Sequence, residues 1–243
     1  MHALSAPELL AAWERGLEQR LPERALALLE AACPESPPQS LAGLSIGRRD
    51  AALLTLRQWA FGRRLTCLAV CPACNERLEM TLDAASLQQP YDSAAPADFT
   101  LALAGYQVRF RLPNSADLLS CTGEDVAEIQ RQLFARCLTE ARSQDQAVTA
   151  DQLPDAMIHA VIEQMAKLDP QADTVINFSC PVCQNRWQEN FDIVSFFWSE
   201  IDAWARRILH EVHVLASAYG WREREILMLS PLRRQLYIEM ANA

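Results

Sequence analysis

The sequence predicts an α+β fold, mostly helical, and three observations carry that expectation. Apolar residues recur at helical spacing through the first sixty residues and again through the last fifty. Between these blocks lie short alternating segments of the kind that strands need. A Cys-Pro-x-Cys turn occurs twice, as CPAC at 71–74 and CPVC at 180–183. The expected architecture is therefore a helical frame holding a bipartite, zinc-ribbon-like pair of knuckles, with a β-hairpin insertion between them. The divisions fall at 1–62 (N-terminal helices), 63–83 with 175–192 (the paired knuckles), 84–174 (inserted hairpin and helices) and 193–243 (a C-terminal helical block).

Each element has a local reason. Ser5-Ala6-Pro7-Glu8 has capping-box spacing and leads into Leu9, Leu10 and Trp13. A second helix fits Glu23 to Ala32, and Pro34 to Gln39 read as a linker. Helical spacing resumes near Arg48 and runs to Phe61, with Gly62 placed to cap it. Arg64 to Val70 and Arg77 to Leu82 alternate as strands around CPAC. Gln88 to Ala97 is rich in Pro and Ala and reads as a linker. Phe99 to Leu112 alternates as a hairpin turning near Ala104-Gly105, and Pro113-Asn114-Ser115 precedes a helix from Ala116. Helices are expected over about Glu124 to Ala141 and Asp155 to Lys167, joined by a polar loop from Arg142 to Asp151. Short strands flank CPVC at Val175 to Phe178 and Arg186 to Phe191, completing three strand pairs. One long helix follows from Ile193 to Ala218, broken at Gly220, then two shorter ones over Trp221 to Leu229 and Pro231 to Met240.

Composition narrows the function. The chain has 243 residues, half of them hydrophobic, so a substantial core forms without staples. A net charge of −9 argues against a nucleic-acid module, which carries a basic footprint. No apolar run approaches the length that spans a bilayer, so no membrane role is expected. The N-terminus lacks the features of an export signal. That points to the cytoplasm, where paired cysteines more often hold metal or stay as thiols than form disulfides.

Aligned without gaps, CPACNERLEMTLD (71–83) and CPVCQNRWQENFD (180–192) share Cys, Pro, Cys, Arg and the final Asp. Each turn lies between strand-like segments, the layout that aims two thiolates at one point. A structural zinc ion takes four ligands and each knuckle supplies two, so Cys71, Cys74, Cys180 and Cys183 would form one site with one zinc per chain. The rival readings are a redox pair, disulfides, or knuckles without metal. A thioredoxin-like motif opens a helix after a strand, whereas both copies here lead into alternating segments. Four thiolates leave no open position for catalytic water. Cys67 reads as a strand core position or a substitute ligand; Cys33, Cys121 and Cys137 read as small buried residues.

Other catalytic signals are missing. His210 and His213 are three residues apart and do not make the zinc-protease signature; His2 and His159 are isolated. There is no Gly-rich phosphate loop or nucleophile elbow. The expectation is a protein that is not an enzyme and has no small-molecule substrate.

On a helical wheel, Val194, Phe197, Ile201, Trp204, Ile208, Val212, Leu215 and Tyr219 form the apolar face of the long helix. Phe196 projects elsewhere, near Arg207 and Val214, as a second and weaker stripe. WREREILMLSP invites a helix-turn-helix reading. From Ile201 onward, however, six Arg face five acidic residues, too little basic charge for DNA phosphates.

Ala218-Tyr219-Gly220-Trp221, Glu223, Ile226-Leu227, Leu229-Ser230, Arg233-Arg234 and Tyr237 follow FWSEIDAWARRILHEVH. With both knuckles, IGRRDAALLTLR (46–57) and RLPNSADL (111–118), this resembles baseplate proteins of contractile phage tails and related injection systems. It is most similar to the T-even-phage-type baseplate hub assembly chaperones, over about residues 8–240, with the C-terminal block as the most distinctive part. The resemblance implies a non-enzymatic assembly factor or minor baseplate component that binds hub or spike proteins in the cytoplasm. On that reading Phe196, Arg207, Val214, Trp221, Arg233, Arg234 and Tyr237 are the expected partner-binding residues. The alternatives are a zinc-ribbon regulator that binds nucleic acid and a thiol oxidoreductase.

Overall fold

The structure, a computed structural model, describes residues 1–90, 96–123, 125–144 and 146–241. Part of the expected 88–97 linker and Glu124, the expected start of a helix, lie outside the described residues. The fold is α+β and mostly helical.

Four helices open the chain: α1 (Ala6–Gly16), α2 (Leu21–Ala32), α3 (Pro38–Ala42) and α4 (Ile46–Phe61). The capping box forms, with the Ser5 N–H donating to Glu8 Oε2 at 2.8 Å. Helix α3 occupies the end of the stretch expected to be linker, and α4 starts two residues earlier than expected, at Ile46. The reason for the early start lies far away in sequence. Asp169 accepts the Gly47 N–H at 2.8 Å, satisfying an orphan donor in the first turn of α4. A Cβ on residue 47 would sit 2.1 Å from Asp169 Oδ1, so only glycine permits this approach. Gly62 ends α4 with φ of 86°, in the left-handed region.

Two antiparallel hairpins carry the knuckles. Strands β1 (Arg64–Val70) and β2 (Arg77–Asp83) pair with Arg64 opposite Asp83 and Val70 opposite Arg77. The insertion then begins with β3 (Phe99–Leu103) and β4 (Tyr106–Phe110), followed by α5 (Ser115–Ser120) and α6 (Val126–Cys137). Next come β5 (Leu138–Ser143), β6 (Gln146–Ala147) and α7 (Asp155–Leu168). The second knuckle hairpin is β7 (Val175–Ser179) with β8 (Arg186–Asn190), and α8 (Ile193–Tyr219), α9 (Glu223–Leu227) and α10 (Pro231–Ala241) close the chain.

The insertion is more than a hairpin. A four-stranded antiparallel sheet in the order β3-β4-β5-β6 replaces the third strand pair. The helix expected to reach Ala141 stops at Cys137, and the next six residues form a strand. Tertiary packing decides this: β5 sets Ala141 opposite Val108 and Leu138 opposite Phe110, two residues with no solvent exposure. Val108, Phe110, Ala141, Leu153, Met157 and Val161 form a core of their own within the insertion.

The larger core joins α1, α2, α4 and the two knuckle hairpins to α8. Asp192 starts α8 by accepting the Val194 N–H at 2.9 Å, an N-cap bond. Val194, Phe197, Ile201, Ile208, Val212 and Leu215 are buried as the wheel predicts. Trp204 is only half-buried and Tyr219 is exposed, whereas Trp198 is buried. Trp198 lies in the groove left by Gly16, with the Arg24 guanidinium 4.7 Å from its ring centre. Helix α9 spans only five residues of the stretch expected to be helical from Trp221 to Leu229.

Candidate metal centre and partner surface

The two knuckles fold alike. In the first, the Cys71 N–H donates to Glu76 O and the Asn75 N–H to Cys71 O, both at 2.9 Å. In the second, the Cys180 N–H donates to Asn185 O and the Gln184 N–H to Cys180 O, again at 2.9 Å. Asn75 and Gln184 occupy the same place in each turn and share a φ of 60°. A left-handed residue directly after the second cysteine bends the chain back over its own sulfurs, and asparagine tolerates that conformation well. The repeated sequence is therefore a repeated backbone.

The hairpins bring the turns together. Cys71 Sγ lies 3.6 Å from Cys183 Sγ, and Cys74 Sγ lies 3.6 Å from Cys180 Sγ. Each contact crosses from one knuckle to the other, and all four sulfurs lie within 4.8 Å of one another. A tetrahedron with metal–sulfur bonds of about 2.3 Å has edges of roughly 3.8 Å, so these spacings suit a tetrahedral metal ion. They are far from the ~2.05 Å of a disulfide, and the cysteines are free. Cys71 and Cys180 are fully buried, whereas Cys74 and Cys183 are exposed at the outer side of the cluster.

Proton affinity is divided unevenly within the cluster. At Cys71 burial opposes ionisation, but the Ala73 and Cys74 amides and the neighbouring thiols outweigh it, bringing the thiol down to about 6. At Cys74 the Glu76 amide favours the thiolate, yet the contacts to Cys183, Cys180 and Cys71 prevail and push it up to about 12. Crowded thiols cannot all ionise without a positive charge among them. The cluster can hold a metal ion, and a soft cation suits four sulfurs. Cys67, the other candidate ligand, is buried in the β1 core away from the cluster.

The expected partner-binding residues divide into separate groups. Trp221 and Tyr237 meet edge to face at 4.9 Å between ring centres, with Tyr219 stacked on Trp221 at 4.7 Å. Arg233 is exposed. Arg234 is not: it is 5 % exposed and donates to Glu211 Oε2 at 2.7 Å and to Leu229 O at 2.6 Å. Its guanidinium is engaged within the chain, tying α10 to α8. Arg207 is exposed beside the same Glu211, 3.9 Å away, and Val214 is half-buried. Phe196 packs on Phe191 at 5.3 Å, near the start of α8. At 1.5 Å rise per residue, roughly 35 Å of helix separates it from Tyr219, so one compact patch cannot hold both ends.

Met228, Leu232, Leu236 and Met240 form an exposed apolar row outside the expected partner-binding set. Its members recur every four residues, and that spacing was available as a signal.

An α+β helical frame closed by a cross-knuckle four-cysteine cluster defines a candidate metal-binding scaffold, and among the described residues no helix is long and apolar enough to cross a membrane. The family model described as T4 bacteriophage base plate protein matches residues 7–198, and the chain belongs to that family. The matched span contains both knuckles and the insertion, but it stops before most of the C-terminal block. No match was found among curated proteins or among solved structures.

Proposed function

We propose that this baseplate protein is a non-enzymatic assembly factor for the baseplate hub of a contractile tail or related injection system, stapled by one structural zinc ion. Cys71, Cys74, Cys180 and Cys183 would hold the zinc, whose role is to join the two hairpins. One hairpin continues directly from α4 and the other leads directly into α8, so the staple fixes the N-terminal helices against the C-terminal block. The observation that carries the reading is the cross-knuckle thiol cluster within a chain of baseplate family.

The partner surface is assigned to the C-terminal block. Leu232, Leu236 and Met240 line one side of α10, with Met228 just before it, and all four are exposed. Arg233 lies beside them, and Tyr237, against Tyr219 and Trp221, holds the middle of α10 to the end of α8. An exposed apolar row of this kind marks a contact site, and a baseplate hub or spike protein is the partner proposed. Arg234 is removed from that surface by its burial.

Two measurements test the reading. Metal analysis of the purified chain should give about one zinc per molecule, lost when Cys74 and Cys183 are both changed to serine. Iron in place of zinc would overturn the assigned metal. Pull-down with co-expressed hub and spike proteins should succeed for the wild type and fail for Leu232→Asp/Leu236→Asp. Capture unaffected by that double change would remove the proposed surface.

A further inference from the structure

Among the described residues, β1 is paired on one side only, with β2. Two backbone bonds fix which of its groups are used: the Ala84 N–H to Arg63 O at 2.8 Å and the Cys71 N–H to Glu76 O at 2.9 Å. Alternate residues of an antiparallel strand bond to the same neighbour. Leu65, Cys67 and Ala69 therefore turn their N–H and C=O groups toward β2. Thr66, Leu68 and Val70 turn theirs the other way, where no backbone partner is found among the described residues.

Soluble proteins blunt such edges with lysine, proline, bulges or very short strands. Strand β1 uses none of these. It runs for seven residues without a register shift, Leu68 is 80 % exposed and Val70 is 52 % exposed. The matching edge of β7 is five residues long and presents the polar Asn177 and Ser179 beside Val175, which is 38 % exposed.

The edge opens on a cleft of about 350 Å³ with an apolar floor that includes Ile176, Phe178, Phe191 and Phe196. Cys67 and Leu68 both line it, and Leu68 is among the residues whose backbone groups face the open side. Glu189 and Asp192 also line it and no basic residue does. Glu79 stands opposite Leu68; Arg64 and Arg77 flank only the two ends of the strand.

We propose that an extended segment of a partner protein, alternating apolar and basic residues, adds to β1 as a further strand. Its backbone bonds to Thr66, Leu68 and Val70. Its apolar side chains fill the cleft, whose acidic rim of Glu189 and Asp192 rejects a segment with acidic residues on that face, and its basic ones, leaving the opposite face, reach toward Glu79. This is strand addition at a sheet edge, in which the ladder supplies affinity and the alternate side chains supply choice. The surface is separate from the row on α10, so either contact can fail while the other stands.

The test uses the full-length chain and a synthetic octapeptide of alternating valine and arginine. On binding, the amides of Thr66, Leu68 and Val70 should exchange with deuterium at least about tenfold more slowly, as newly bonded groups do. Leu68→Pro removes an N–H that faces the open side, so the hairpin keeps its own bonds. It should weaken binding at least about tenfold and leave the unfolding midpoint in place. The same peptide with alternate amides N-methylated, and a valine–glutamate peptide, should not bind. Binding by the N-methylated peptide, equal binding by Leu68→Pro, or protection elsewhere would overturn the proposal. Protection of these amides that rises with protein concentration and needs no peptide would also overturn it, assigning the edge to a second copy of this chain.

Discussion

Arg57 and Glu200, 143 residues apart, form a two-point ion pair that locks α4 to α8. Nε donates to Oε2 at 2.8 Å and Nη2 to Oε1 at 2.5 Å, while Nη1 caps the Gly62 carbonyl at 2.7 Å. Arg57 is 2 % exposed, so removing its partner strands a charge in the core. Glu200→Ala should cost about 3 kcal/mol and lower the urea midpoint with an unchanged m value. Replacing both residues by methionine should recover part of that loss, because an apolar pair strands no charge.

Metal removal should act on the whole fold. Chelation, or serine at Cys74 and Cys183, should lower Tm by about 6–12 °C if the staple contributes only about 3 kcal/mol. Acidification should release the ion, because protons compete with it for the thiolates. Differential scanning calorimetry with metal analysis across pH checks both outcomes.

Asp50 supplies a pH signature. Burial pushes its carboxyl up to about 6 even though Arg49 lies beside it and pulls the other way. The ordinary value in an unfolded chain is about 3.9, so between roughly pH 4 and 6 the folded state binds more protons than the unfolded one. Stability from this group therefore falls as pH rises through that window. Asp50→Asn should lack the slope, so its stability relative to wild type should rise by about 2–3 kcal/mol from pH 4 to pH 7. Denaturant titrations at each pH read this difference apart from the constant cost of losing the bond to Arg49.

The Arg-Arg pair on α10 should split cleanly. Arg234→Glu places a carboxylate against Glu211 in a buried site and should cost about 3 kcal/mol or more. Arg233→Glu, on the exposed side, should change stability by less than about 0.5 kcal/mol. Only the second variant can report on partner binding, and a pull-down with baseplate proteins is the readout.

How far the sequence was legible follows from the range of each interaction. Ser5 and Glu8 are three residues apart, and their capping box was readable directly. The knuckles were readable because the same turn is written twice, each copy explaining the other. Strand β5 was not, because Leu138 to Ser143 becomes a strand only when β4 offers it an edge. The start of α4 depends on Asp169, 122 residues away, and no local pattern reports that. Nor does Arg233-Arg234 say which arginine is inside, since Glu211 on another helix decides it. The family relationship was legible, yet the matched span leaves out most of the C-terminal block on which the resemblance leaned most heavily.

The cross-knuckle contacts also set a timetable for the growing chain. Cys74 leaves the ribosome 106 residues ahead of Cys180, its neighbour in the cluster. Translation at about 5–20 residues per second makes that interval roughly 5–20 seconds. For all of it the first knuckle holds only two of the cluster's four cysteines, and the leucines of α1 and α2 lack the α8 face that covers them. The insertion buries its own core without α8. The last quarter of the message therefore turns an open, sticky nascent chain into a closed protein.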